Sequence, residues 1–147
     1  MAHLNTQIRD HIAATIGALP FFSGKVYEMR SYAIDDAKLP ACVVYTNRQA
    51  SKMSTIGFKT SIASLEVIID IHIKGSSATI VNDVDDACVL IEDALGADFT
   101  LGGLAKSCIL TESDVDISVE GEKPIASARL SYAVEYVTNI ADLETAR

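Results

Sequence analysis

His72 follows Asp70 by two residues and Glu66 by six, so on an extended strand these three side chains share one face. Two carboxylates and an imidazole in a line are ligand types for a divalent ion. One line along one strand closes no coordination sphere, however, and a solvated strand face with ordinary charges accounts for the pattern equally. Glu112, Asp114 and Asp116 repeat with the same spacing of two and resemble a paired-carboxylate set for general acid–base work. Alternating acids along a wet strand are the commoner source of such a pattern. Cys42, Cys88 and Cys108 are potential nucleophiles, yet each lies in an apolar stretch, where a thiol stays protonated and inert. Their odd number and wide spacing argue against a disulfide framework or a zinc site. The chain contains no phosphate-binding loop, dinucleotide glycine fingerprint or zinc-binding helix pattern. The residues therefore point to no enzyme, no cofactor and no bound metal.

The elements that must position these groups are legible from periodicity. From Thr60 to Lys74, every second residue from Ala63 on is apolar (Ala63, Leu65, Val67, Ile69, Ile71, Ile73), which predicts a long strand with one dry face. Fifteen residues reach roughly 50 Å when extended, so the strand bends or one end projects. Ahead of it, Leu4, Ile8, Ile12, Ile16 and Leu19 mark one face of a helix over His3 to Leu19, ended by Pro20. Phe21 and Phe22 precede a Ser23-Gly24 turn, Lys25 to Tyr32 reads as a short strand, and Ala41 to Thr46 as a buried one. The polar stretch Asn47 to Gly57 has no period and reads as a long connection.

After the main strand, Val81, Val84, Cys88, Ile91 and Leu95 place a helix over Ala78 to Leu95, capped by Ser76 or Ser77 and closed by Gly96. Leu104 to Val119 reads as a strand, Glu120 to Lys123 as a hairpin turn, and Ile125 to Thr138 as an alternating strand. The expected fold is α+β, a two-layer sandwich of a mainly antiparallel sheet with two helices on one face, in the order α-β-β-β-α-β-β. Residues 1–138 form one domain in this reading and 139–147 a polar tail.

The totals agree with a single domain. The 147 residues are 49% hydrophobic, enough for a core without staples. A net charge of −8 argues against a fold that grips nucleic acid through its phosphates. No apolar run approaches the ~20 residues needed to cross a bilayer, and the charged N-terminal segment is no secretory signal, so a cytosolic protein is expected.

Taken in order, these segments resemble the tail terminators of lambda-like long-tailed bacteriophages. The resemblance runs through Phe21-Phe22-Ser23-Gly24, the acidic loop at Asp35-Asp36, Pro40-Ala41-Cys42-Val43-Val44-Tyr45, the long strand from Leu65 to Ile73, and Ser127-Ala128-Arg129-Leu130-Ser131-Tyr132-Ala133-Val134-Glu135-Tyr136. The insertion around Asn47 to Lys59 and the residues after Thr138 depart from that pattern. The resemblance implies a structural virion protein of the tail, present in the host cytoplasm during assembly. It implies a homo-oligomeric ring, a hexamer, that caps the tail tube, stops tube polymerisation and presents the surface that joins the head. The partners it implies are other copies, the tail-tube protein and the head–tail connector or neck protein, with DNA only passing through the lumen and no membrane. Arg48, Lys52, Met53, Phe58 and Lys59 are then the expected contacts with tube or neighbour, and Glu112, Asp114, Asp116, Glu120 and Glu122 the candidates for an acidic lumen wall. A neck-completion or tail-tube subunit is the alternative within the same particle, and a small cytosolic ligand-binding or enzyme domain the alternative outside it.

Overall fold

The computed structural model describes residues 3–22, 26–28, 41–53, 60–76, 79–118, 125–139 and 142–146. Its two helices are α1 (Leu4–Gly17) and α2 (Ile80–Ala97), and its strands are β1 (Val26–Tyr27), β2 (Ala41–Met53), β3 (Thr60–Lys74), β4 (Ser107–Ser118), β5 (Ile125–Asn139) and β6 (Asp142–Ala146). All six strands belong to one sheet in the order β1-β2-β3-β5-β4, with β6 on β5. β3 lies at its centre, antiparallel to β2 on one side and to β5 along its whole length on the other. Only the short β1 runs parallel, to the start of β2.

Alternation along β3 decides which face is dry. Its odd-numbered residues from Ala63 to Ile73 are buried together with Ala126, Ala128, Leu130, Tyr132, Val134 and Tyr136 of β5 and Cys42 and Val44 of β2. The same core takes Leu4, Ile8, Ile12 and Ile16 from α1, and Ile80, Val84, Ala87, Ile91 and Leu95 from α2. Phe22, in a 3-10 turn over Pro20–Phe22, is fully buried there, with Phe21 edge-on against it at 5.0 Å. Burial of each large side chain of this kind stabilises the fold by about 1.5–3 kcal/mol relative to exposure. The opposite face holds a second, small apolar cluster of Val43, Tyr45 and Ile68, with Tyr27 against it.

Several sequence expectations are corrected. The stretch Asn47 to Met53, read as connection, continues β2 and pairs with β3 as far as Met53 opposite Ser61. A register shift between Thr46 and Arg48 absorbs one extra residue, which is how a strand that starts as a buried run is re-aimed into a polar edge. The rest of that expected connection, residues 54–57, lies outside the described residues, as do most of the expected strand before residue 33 and the Glu120–Lys123 turn. The polar C-terminal tail contains β6, which pairs with β5 at Thr138 and Asn139. β4 starts at Ser107 rather than Leu104, because Leu101–Gly103 forms a 3-10 turn first. α1 ends at Gly17 before Pro20 is reached. α2 begins at Ile80 and runs through Gly96, and Thr79 stands at its N-cap. That shift puts Ile80 in the core and leaves Val81 exposed.

A ring of side-chain hydrogen bonds fixes α1 across the extended half of the sheet. The Tyr136 hydroxyl donates to Asn5 Oδ1 and accepts from Gln49 Nε2 at 2.9 Å, while Asn5 Nδ2 donates to Gln49 Oε1. Farther along the helix, His11 Nε2 meets Asp98 Oδ2 at 2.5 Å, and Asp98 Oδ1 accepts the Gly102 amide at 2.9 Å. The His11 bond is the main reason that the Asp98 carboxyl is held below the ordinary aspartate range.

Candidate functional site

The sheet face turned away from the helices collects most of the charged residues singled out above. Even-numbered positions of β3 (Glu66, Asp70, His72) lie between β2 and β5 there, and the register carries the face on to β4. Asp114 pairs with Arg129, which pairs with Asp70, and Asp116 pairs with Ser127, which pairs with His72. Glu112 stands opposite Ser131, just past a register shift at Leu110/Glu112, where the Thr111 hydroxyl donates to the Ser131 carbonyl at 3.0 Å and fills the gap in the ladder. Glu112, Asp114 and Asp116 are all exposed.

Asp70 is the hub of this face. Arg129 Nε donates to its Oδ1 at 2.9 Å and Arg129 Nη2 to its Oδ2 at 3.5 Å, while the Tyr45 hydroxyl donates to Oδ2 at 3.1 Å. The Asp70 carboxylate, first through its hydrogen bond and then through its charge, raises the Arg129 pKa and fixes the guanidinium in its charged form. Asn47 Nδ2 donates to Glu66 Oε1 at 3.0 Å. His72 is partly buried, and that desolvation lowers its pKa against a smaller opposing pull from Asp70. A shallow recess of about 440 Å³ follows this line, walled by Asp70, His72, Asp114, Asp116, Ser127 and Arg129.

Glu66 and Asp70, two members of the line that could have served a metal ion, are engaged by Asn47 and by Arg129 with Tyr45. No group of three or more metal-ligand side chains comes together among the described residues. All three cysteines are free thiols in the core. Burial pushes Cys42 far up, Cys88 to about 11 and Cys108 to about 12, so each is protonated at neutral pH.

The expected contact residues fall elsewhere. Arg48, Lys52 and Met53 belong to β2, in register with Glu66, Ile62 and Ser61, on the far side of β3 and β5 from the β4 acids. The side chains of Arg48, Lys52 and Met53 lie outside the described residues, and so do Phe58, Lys59, Glu120 and Glu122 altogether. Arg129 and Tyr45 belong to the site without any motif in the sequence marking them. Arg129 sits 59 residues from Asp70, and its one sequence signal is a charged residue at a polar position of an alternating strand.

No family model matches the chain, and no curated protein matches it. Among solved structures it is similar to a chain from the virion of a native gene transfer agent particle. That match has 11% identity and a TM-score of 0.34, and covers 90% of this chain and 92% of that one. So distant a likeness assigns no role. Among the described residues, no helix is long and apolar enough to cross a membrane.

Proposed function

We propose that this chain is a structural protein of a phage-like virion, not an enzyme: a tail terminator that assembles as a ring, caps the tail tube, stops its growth and offers the surface that joins the head. The observation that carries this reading is the open build of the sheet. Among the described residues, β4 has no strand on its outer side, and β2 has none beyond Val43. Long unpaired edges are a liability in a monomer and a resource in an assembly. The charged face supports the same reading, since Asp70 is spent on Arg129 and Tyr45, and Glu66 on Asn47, rather than aimed into a closed pocket. The resemblance over Phe21–Gly24, Pro40–Tyr45 and Ser127–Tyr136 supplies the specific role. Its second and third segments include Val44, Leu130, Tyr132, Val134 and Tyr136, which build the core of the sheet.

Mass measurement by light scattering over a wide concentration range, alone and with a tail-tube subunit, tests this. A discrete ring of about six copies, or a monomer that becomes one on a tube end and halts elongation, is the expected result. A monomer that neither binds nor caps tubes overturns the reading. Unlimited polymerisation makes the chain a tube subunit.

A further inference from the structure

Among the described residues, the two unpaired edges of the sheet carry opposite charge. β4 presents Glu112, Asp114 and Asp116 at alternate positions, all exposed. β2 carries Arg48 and Lys52 at register positions opposite Glu66 and Ile62, which places both residues on the same sheet face as the β4 acids. We propose that the β4 edge of one copy pairs antiparallel with the β2 edge of the next, with Lys52 opposite Glu112, Ala50 opposite Asp114 and Arg48 opposite Asp116. The proposal rests on the ring reading above and names the surface that closes it.

The strand directions suit this pairing. β2 and β5 run one way and β3 and β4 the other, so a second copy added in the same orientation brings its β2 antiparallel to β4. The charged face of the sheet then stays on the same side in every copy. The paired stretch, residues 48–52 against 112–116, lies just past the register shift in each strand, so five residues on each side are available for a regular ladder. On the helix side, the same register sets Gln49 against Val115, which is 47% exposed in the single chain.

Self-pairing is disfavoured at both edges. Two β4 edges about a two-fold axis oppose acid to acid, and two β2 edges oppose base to base, and like charges directly across a ladder destabilise it. Each edge thus rejects itself and accepts the other, which makes a head-to-tail contact that closes into a ring if the rotation allows. The register also staggers successive copies. Within one copy Arg48 is level with Glu66, and Asp116 is level with His72 through Ser127, six β3 residues farther along. At about 3.3 Å per residue that displacement is roughly 20 Å, and a constant stagger tilts the strands as closure of a sheet requires.

A charge swap tests it. The double variants Glu112→Lys/Asp116→Lys and Arg48→Glu/Lys52→Glu, each checked for folding by circular dichroism, are expected to associate about tenfold more weakly or worse in low salt. An equimolar mixture of the two is expected to restore assembly, because every contact again joins unlike edges. If the wild-type ring forms and the mixture of folded variants does not assemble, the edge pairing is wrong and the ring reading survives. If the wild-type chain stays monomeric alone and with a tube subunit, both fail. Should a charge variant not fold, Ala50→Cys and Asp114→Cys proteins are mixed and oxidised instead; the three native thiols are buried and do not compete. A disulfide-linked dimer supports the register, and its absence from an assembled sample overturns it.

Discussion

Tyr136→Phe isolates the hydrogen-bonded ring that holds α1 across the sheet. The Tyr136 ring is 2% exposed and stays in place in the variant, so the core loses no volume. Two bonds vanish, the one donated to Asn5 Oδ1 and the one accepted from Gln49 Nε2. Each is worth about 0.5–1.5 kcal/mol net, but Asn5 and Gln49 lie at the surface and can turn to water, and their mutual bond survives. The expected loss is therefore about 1–2 kcal/mol. Tyr136→Ala additionally opens a cavity and should cost about 3–5 kcal/mol. Urea unfolding of wild type, Tyr136→Phe, Asn5→Ala and the double variant measures these, with the double-mutant cycle expected to show coupling of about 0.5 kcal/mol or more. Additive single effects, or a Tyr136→Phe midpoint equal to wild type, would refute the view that this ring anchors the helix.

Gly102 has φ +66°, and a Cβ there would sit 3.1 Å from His11 Cε1, so Gly102→Ala should destabilise by about 1–2 kcal/mol in the same assay. Gly96 has open space around it inside α2, and Gly96→Ala should instead stabilise by about 0.5–1 kcal/mol. Burial lowers the His72 pKa, so the unfolded chain binds the extra proton first, and stability should fall as pH drops below the unfolded value near 6.5. The depressed Asp98 carboxyl adds a second loss, at pH below the ordinary aspartate range. Urea midpoints measured from pH 8 to pH 3 should show both steps, with the upper one reduced in His72→Gln and the lower one in Asp98→Asn. A thiol reagent should label none of the three cysteines in native protein at neutral pH and all three in denaturant; rapid native labelling would contradict their burial.

The parts of the fold that were readable from sequence are those whose pattern is set by burial. β3 announces itself over its whole length because its odd residues meet the core throughout. The α1 stripe is equally plain, while in α2 the apolar neighbours Ile80 and Val81 leave open which one the core takes, and packing chooses Ile80. The segment Gln49-Ala50-Ser51-Lys52-Met53 has no apolar alternation to reveal it. It is a strand because β3 lies beside it, a pairing no local pattern encodes. β6, with the sequence Asp-Leu-Glu-Thr-Ala, was hidden for the same reason. At the candidate site, the line of Glu66, Asp70 and His72 was visible, whereas its partners Asn47, Tyr45 and Arg129 come from two other strands.

The central position of β3 also bears on how the chain is made. Its partner β2 precedes it closely, but β5 does not, since Lys74 pairs with Ile125, fifty-one positions later, and Thr60 with Asn139. At about 5–20 residues per second, a ribosome takes roughly 3–10 seconds to cover that gap. During that interval a nascent hairpin of β2 and β3 exposes a strand rich in isoleucine and valine, with one whole side of its backbone unpaired. The helix encoded in the gap, α2, reaches it first and can shield the apolar face of that hairpin, leaving only the β3 edge to wait for β5.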